Sequence, residues 1–175
     1  MSTEADAEFS ALVRRQSRFV FKVAYAVLLN SHDAEDAVQE TFLKLYRNSG
    51  WKDAENECAY LARVAWRVAI DHKRRSSSSE AASADPLFLD VIPTLHPSPH
   101  DTISDANQQA TVHGFIDSLP EEFRVPLVLS AFEELNSREI GEILSIPEGT
   151  VRTRLQRARQ ILRQKLTSAK ETHYA

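Results

Sequence analysis

The sequence predicts an all-α protein made of two small helical domains joined by a flexible linker. Apolar residues recur at intervals of three and four along most of the chain, and no alternation of useful length predicts a strand. Residues 76–105 interrupt this periodicity with a run of serines followed by several prolines. With 175 residues, 42% of them hydrophobic, the chain can bury one medium core or two small ones. We therefore expect domains at residues 1–75 and 106–175, with the linker at 76–105.

The N-terminal domain is predicted to contain three helices. The first apolar stripe covers residues 9–27, and residues 30–33 supply turn and N-cap chemistry for a second helix. The second stripe covers residues 34–45 and is broken at residues 48–51. A third amphipathic run, residues 61–75, ends in consecutive basic side chains. Three helices of this kind can share one core.

The C-terminal domain begins where helical periodicity returns, at residues 112–119. The spacing of Ser118 and Glu121 predicts a capping box for the next helix. We expect that helix to extend towards Glu134, with a kink or a late start because Pro126 lies inside it.

Residues 136–159 have the spacing of a helix-turn-helix, in which a short helix, a tight turn and a longer helix follow one another. Asn136 and Glu139 predict a capping box for the first helix. Gly141 permits close approach of the second helix, and Pro147 with Gly149 is expected to turn the chain. A helix-turn-helix is strong evidence for DNA binding, but it is shared by several classes of DNA-binding protein.

The outward side of the second helix carries groups that can read base edges in a major groove. The candidate residues are Thr150, Arg152, Thr153, Gln156, Arg157 and Arg159. The alternative is an amphipathic helical hairpin whose arginines only form a solvated face.

The charge of the chain is segregated, although its net charge is only -4. Residues 150–170 contain no acid, residues 63–75 carry a basic cluster with one aspartate, and the charged residues among 101–148 are mostly Asp and Glu. Two basic faces predict two contacts with a phosphate backbone. The acidic surfaces are left for basic protein partners.

Several function classes are excluded by composition. No stretch is apolar enough for a membrane span, and the acidic N-terminus lacks a secretory signal, so we expect a cytoplasmic protein. Cys58 is the single cysteine, which excludes an intramolecular disulfide and a cysteine-rich zinc site. His32, Asp33 and Asp36 have no second ligand cluster, so no metal is expected. The serines of residues 76–79 lack a nucleophile elbow, and no glycine-rich phosphate loop is present, which argues against an enzyme with a cofactor.

Two motifs resemble a known family. Residues 33–47, DAEDAVQETFLKLYR, closely resemble the signature helix of extracytoplasmic-function sigma factors, and residues 149–159, GTVRTRLQRAR, resemble the family's C-terminal recognition helix. The resemblance covers nearly the whole chain, with the two motifs in the family's order. It implies counterparts of the second and fourth conserved sigma regions. Such a protein directs RNA polymerase core to promoters, reads a minus-35 element in duplex DNA and melts the minus-10 element.

By this resemblance the second helix docks on the coiled coil of the polymerase's largest subunit. The residues expected to bind the core are Asp33, Asp36, Gln39, Glu40 and Leu43. Most of them share one helix face, at steps of three or four, opposite the apolar stripe. The alternative is a solvated acidic first turn that the helix dipole favours.

The third helix ends in AYLARVAWRVAIDHKRR, residues 59–75, which resembles the segment that engages the minus-10 element. The residues expected to contact it are Tyr60, Arg63, Trp66, Arg67, Lys73, Arg74 and Arg75. Binding the unstacked form of DNA better than the duplex is enough to open it, and aromatic side chains offer stacking surfaces for unpaired bases. Alternatively, Tyr60 and Trp66 pack against the loop that contains Trp51.

The chain departs from the family pattern at three positions. Arg67 stands where many members have Asn, and Tyr60 where Trp is usual, which affects base preference at minus-10. Gly141 replaces a usual Ala, and we expect this change to loosen packing.

The resemblance also predicts two features outside the DNA-binding helices. Residues 85–105 resemble the connection that threads near the polymerase active site, with a plain tether as the alternative, and an anti-sigma factor is expected as a partner. The competing function is an autonomous helix-turn-helix regulator, which would dimerise on a palindrome without polymerase. The helix at residues 33–47 and the linker argue against it.

Overall fold

The computed structural model describes residues 2–79, 103–132 and 134–173. Within these ranges the chain is helical and contains no strand, which confirms the all-α prediction. The helices are α1 (Ser2–Leu28), α2 (Ser31–Arg47), a 3-10 helix (Ser49–Asp53), α3 (Glu57–Ser79), α4 (Ile103–Asp117), α5 (Glu121–Ser130), α6 (Ser137–Leu144) and α7 (Glu148–His173). None of the described helices has the length and hydropathy that a membrane span requires.

In the N-terminal domain, α1 packs against both α2 and α3. The apolar stripes of the three helices are buried as predicted, with Val20, Leu45 and Leu61 at the centre of the core. The Asn30 side chain accepts a hydrogen bond from the Asp33 amide at 2.9 Å, which confirms the predicted N-cap of α2. These local signals fix the three-helix arrangement that carries the candidate surfaces.

The start of α3 is fastened to α1 by a carboxylate. Both oxygens of Glu57 accept hydrogen bonds from Arg15, at 2.6 and 3.2 Å, and Gln16 donates to the same carboxylate at 2.8 Å. The hydrogen bonds from Arg15 hold the pKa of Glu57 below its usual value, against the opposing effect of burial.

The end of α3 extends four residues beyond the predicted domain boundary, through the serines of residues 76–79. The hydroxyls of Ser77 and Ser78 donate to the carbonyls of Lys73 and Arg74, each at 2.9 Å. These back-bonds keep the serines in a helix. The rest of the predicted linker up to residue 102 lies outside the described residues.

The predicted capping box at Ser118 is wrong. Pro120 is the N-cap residue of α5 without a side-chain cap, and the Ser118 hydroxyl donates to the Phe115 carbonyl instead, at 2.7 Å. The late start that Pro126 predicted is not seen, because the helix begins at Glu121, ahead of the proline, and ends at Ser130. It is therefore shorter than the helix that the sequence predicted.

The helix-turn-helix is formed by α6 and α7, and the predicted capping box at its start is confirmed. Glu139 accepts from the Asn136 amide at 2.8 Å, and the Asn136 side chain accepts from the Glu139 amide at 3.0 Å. The turn is made by Ser145, whose φ is 56°, and the Ile146 amide closes it on the Gly141 carbonyl at 3.0 Å. Gly149 lies inside the first turn of α7 and does not turn the chain as predicted.

Gly141 is required by the closeness of this turn. A Cβ atom at Gly141 would lie 2.7 Å from the Ile146 carbonyl oxygen, a backbone atom that cannot swing away. The expectation that this glycine loosens packing is therefore wrong, because the position has no room for a methyl group.

The two domains pack against each other. Helix α5 lies on α1, and α6 lies on α3. The rings of Phe19 and Phe132 meet edge to face across this contact, with their centroids 4.5 Å apart. Buried side chains of both domains form one continuous cluster, so that α3 lies next to the first helix of the helix-turn-helix.

Replacing Gly141 by Ala should destabilise the C-terminal domain by about 1–3 kcal/mol, because the added methyl group overlaps the backbone of the turn. The matched control is Gly149→Ala, where an added Cβ meets nothing within 4 Å. That change should be neutral or stabilising by up to about 1 kcal/mol, since Ala favours a helix over Gly. Urea unfolding followed by circular dichroism measures both, and equal effects would contradict the tight turn.

Candidate nucleic-acid interface

Helix α7 presents the predicted base-reading residues to solvent. Arg152, Thr153, Gln156, Arg157 and Arg159 are exposed, and Thr150 is half-buried. The opposite side of the helix is buried through Val151, Leu155 and Ala158, as the sequence predicts. The amphipathic stripe therefore orients the polar side chains outwards.

Several of these side chains make contacts within α7. Arg152 pairs with Glu148 at 2.5 Å, Thr153 donates to the Gly149 carbonyl at 3.0 Å, and Arg157 donates to Gln160 at 2.9 Å. Exchanging such exposed local contacts for base or phosphate contacts requires little reorganisation. Arg154, in contrast, reaches Glu122 of α5 at 4.0 Å and has only 29% of its side chain exposed.

Helix α3 divides its predicted minus-10 residues between surface and interior. Arg67, Lys73, Arg74 and Arg75 are exposed, whereas Tyr60, Arg63 and Trp66 are half-buried. Lys73 pairs with Glu121 of α5 and Arg75 with Glu40 of α2, so these two cations lie on different sides of α3. Exposed cations of this kind can contact a phosphate backbone.

A cavity of about 390 Å³ opens between α3 and the end of α2. It is lined by Lys44, Leu45, Arg47, Asn48, Tyr60, Val64, Arg67 and Val68. The cations of the lining can bind the phosphate of an unstacked nucleotide, and the amide can hydrogen-bond the edge of its base. The aromatic ring can stack on the face of the base. Tyr60 and Arg67 were predicted for this role from the sequence. The contribution of α2 to the cavity was not predicted, because its basic last turn meets α3 only in the folded domain.

Tyr60 also lies against the loop before α3. A Cβ atom at Gly50 would come within 2.8 Å of the Tyr60 hydroxyl, so the glycine makes room for the phenol. Tyr60 therefore packs against the loop, as the alternative predicted, and also lines the cavity. Trp66 is not among the residues that line the cavity, and it packs against the core cluster.

Helix α2 presents an acidic and apolar surface, which we call the docking surface: Asp33, Asp36, Gln39, Leu43 and Tyr46. Leu43 and Tyr46 are each 56% exposed, which is unusual for large apolar side chains side by side on one helix. Tyr46, one turn beyond Leu43, was not predicted from the sequence.

Glu40 differs from the other residues predicted to bind the core. It is half-buried and pairs with His72 of α3 at 2.6 Å, with Lys44 at 3.1 Å and with Arg75 at 3.4 Å. Burial raises the pKa of Glu40, but hydrogen bonds with His72 and Lys44 outweigh it and leave the pKa lowered. Glu40 thus ties α2 to the basic end of α3.

His32, Asp33 and Asp36 bring possible metal ligands within 4.8 Å of one another. The group is exposed or half-buried in the first turn of α2, and His32 pairs with Asp36 at 3.4 Å. A contact between an imidazole and a carboxylate one helical turn apart accounts for this geometry.

The acidic side of the C-terminal domain meets α3. Arg63 approaches Glu142 of α6 at 3.9 Å, and Lys73 pairs with Glu121 of α5. Ahead of α3, the Asn56 amide donates to the Glu139 carboxylate at 2.8 Å and to the Glu134 carbonyl at 2.7 Å. Part of the acidic segment that the sequence left for basic protein partners therefore faces a basic helix of the same chain.

Two family matches divide the chain as the helices do. Sigma-70 region 2 matches residues 12–79, which span most of α1 and end with α3, and Sigma-70 region 4 matches residues 110–162, which contain α5 and α6. The chain is 36% identical over 152 residues to the ECF RNA polymerase sigma factor SigE of Mycolicibacterium smegmatis, covering 87% of this chain and 59% of the relative. It is 34% identical over 154 residues to the ECF RNA polymerase sigma factor SigW of Bacillus subtilis, covering 84% and 82%.

Two solved structures share the fold. The sigma factor RpoE in complex with the anti-sigma factor NepR from Bartonella quintana aligns with a TM-score of 0.69 at 20% identity, over 91% of this chain and 97% of that one. CnrH in complex with the cytosolic domain of CnrY aligns with a TM-score of 0.62 at 20% identity, over 93% and 90%. The order of regions 2 and 4 and the 34% identity to SigW show the family of this chain. It belongs to the extracytoplasmic-function family of RNA polymerase sigma factors.

Proposed function

We propose that this protein directs RNA polymerase core to a set of promoters, acting by binding and not by catalysis, in the cytoplasm and without a cofactor. One observation supports the proposal most: the same chain contains a helix-turn-helix with an exposed recognition helix and a region 2 domain with an exposed docking surface. An autonomous regulator would need the reader alone, so the region 2 domain disfavours that alternative.

The division of labour follows the domains. Residues 1–75 bind the core and the minus-10 element, residues 76–105 connect the domains, and residues 106–175 read the minus-35 element. Helix α3 carries the first unit four residues further, to Ser79.

The docking surface supplies the contact with polymerase core. Its carboxylates suit a basic partner, and its exposed Leu43 and Tyr46 supply apolar area that water disfavours. Charges at the edge of such a contact guide encounter, while the apolar centre slows dissociation. Glu40 contributes indirectly, by fixing α2 against α3.

The cavity between α2 and α3 captures unstacked bases of the minus-10 element. Stacking on an aromatic side chain contributes about 1–3 kcal/mol for each base. Unstacking a base costs a few kcal/mol. Stacking in the cavity, together with phosphate contacts from Lys44, Arg47 and Arg67, offsets this cost of opening the duplex. Residues of α2 line the cavity, and α2 also carries the docking surface. Core binding and capture of minus-10 bases therefore use the same helix.

Helix α7 reads the minus-35 element in the major groove. Arg152 and Arg157 have the paired donors for bidentate contacts with guanine, and Gln156 has the donor and the acceptor for a bidentate contact with adenine. Thr153 can meet a thymine methyl group. An anti-sigma factor is the expected regulatory partner, in line with the NepR complex of the structural neighbour.

Substituting Asp36 by Arg should weaken core binding about tenfold or more, because it places a cation in a surface that meets a basic partner. Glu55→Arg is the matched control, since Glu55 is also exposed, lies outside α2 and undergoes the same charge change. Affinity for purified core polymerase is measured by fluorescence anisotropy of the labelled protein. A loss of the same size in both variants would show that overall charge, and not the docking surface, sets the affinity.

Replacing both Arg152 and Arg157 by Ala should weaken binding to a promoter duplex by about 1–3 kcal/mol for each base that is no longer read, and should reduce the salt dependence of binding. The control pair, Arg163→Ala with Lys170→Ala, removes the same charge from exposed positions further along α7. It should leave discrimination between promoter and scrambled duplex intact. Titrations at several salt concentrations measure both effects, and unchanged affinity of the first pair would refute the recognition helix.

A further inference from the structure

The start of α1 lies against the apolar end of the docking surface. Two of its side chains contact Tyr46 of α2: the Tyr46 hydroxyl donates to Oδ1 of Asp6 at 3.2 Å, and the Phe9 ring meets the Tyr46 ring edge to face, with centroids 5.1 Å apart. We propose that Asp6 and Phe9 are positioning residues for core binding, which hold the Tyr46 ring in the orientation that core polymerase meets. The inference rests on the proposed function of the docking surface.

Phe9 is itself anchored in the N-terminal domain. Its ring meets the rings of Phe42 and Trp51, each at a centroid distance of 6.3 Å, and both of these residues are only 8% exposed. The neighbouring Glu8 pairs with Lys52 at 2.5 Å, which fastens the same turn of α1 to the 3-10 helix. Phe9 therefore gives the docking surface a fixed support.

Tyr46 needs such a support because more than half of its side chain lies in solvent. It is 56% exposed, and exposed side chains exchange rapidly between rotamers. Fixing a free side chain on binding costs about two- to tenfold in affinity. The contact with Phe9 limits the tilt of the ring, and the hydrogen bond to Asp6 sets the direction of the hydroxyl. A ring that is already held loses less freedom when a partner covers it.

The acidic start of α1 has a simpler interpretation, since the helix dipole favours carboxylates such as Glu4 and Asp6 in the first turns. The dipole does not explain why the Asp6 carboxylate accepts a hydrogen bond from a side chain of another helix. The match to Sigma-70 region 2 begins at residue 12, so Asp6 and Phe9 precede the matched residues. The support of Tyr46 is thus a feature of this chain that the family match does not describe.

The test measures the affinity of full-chain variants for purified core polymerase by fluorescence anisotropy. Asp6→Ala removes the acceptor and should weaken binding about two- to tenfold. Asp6→Asn keeps an oxygen that accepts from the Tyr46 hydroxyl, and it should restore most of the affinity. Glu8→Ala is the matched control, because it removes the same charge from the same end of α1 but breaks the contact with Lys52. It should bind core polymerase as the wild type does.

A double-mutant cycle shows whether Asp6 acts through Tyr46. Tyr46→Phe keeps the ring and removes the hydroxyl that donates to Asp6. Adding Asp6→Ala to Tyr46→Phe should cause no further loss of core affinity, because both changes break the same contact. The loss in Asp6→Ala should also persist at high salt, since salt screens an exposed charge but does not restore the order of a side chain.

Five results would overturn the inference. Unchanged core affinity in Asp6→Ala would mean that Tyr46 needs no support. An equal loss in Asp6→Asn, or a loss that high salt abolishes, would mean that the charge of Asp6 acts and not its hydrogen bond. An equal loss in Glu8→Ala would assign the effect to the helix end as a whole, and losses that multiply in the double variant would show that Asp6 acts independently of Tyr46.

Failure of the proposed function looks different. In that case the wild-type chain does not bind core polymerase, and Asp36→Arg changes nothing. A wild-type chain that binds core polymerase and loses affinity in Asp36→Arg, but not in Asp6→Ala, leaves the proposed function intact and removes only the positioning role of Asp6.

Discussion

The hydrogen bond from Arg124 to the Ala26 carbonyl is the contact on which the arrangement of the two domains depends. It joins α5 to the end of α1, and α1 in turn carries both α2 and α3. A buried guanidinium is costly unless acceptors meet its donors, and the Ala26 and Leu119 carbonyls accept from Nε and Nη1 of Arg124. Through this contact the helix-turn-helix is placed against α3, and the accessibility of each functional surface follows from that placement.

The packing of the two domains also explains where the segregated acidic and basic residues lie. A chain with a net charge of -4 can still present basic surfaces to DNA, because its charges are unevenly distributed and residues 150–170 contain no acid. Within the folded chain some of the acids pair with cations of α3, while Arg152, Arg157 and Arg159 of α7 stay exposed. The docking surface, the cavity and the recognition helix are thus three separate surfaces, and α2 contributes to two of them.

Local signals in the sequence predicted much of the fold and of the candidate site. Helical periodicity located α1 to α3, and Asn136 with Glu139 predicted the capping box of α6 because that motif is complete within four residues. The capping box expected at Ser118 failed, since Pro120 takes the cap position. Arg124 and the cavity wall from α2 depend on contacts between distant segments, which periodicity and spacing do not encode. The need for Gly141 comes from the path of the turn, which brings the Ile146 carbonyl close to it.

Run-off transcription tests most directly whether this chain acts as a sigma factor. Purified bacterial core polymerase is incubated with genomic DNA fragments in the presence and absence of this chain, and the transcript ends are mapped. A sigma factor with these surfaces should produce transcripts from discrete start sites only when the chain is present. Absence of initiation with every core polymerase tried, together with tight binding of the chain alone to a palindromic duplex, would contradict it and indicate a regulator that acts without polymerase.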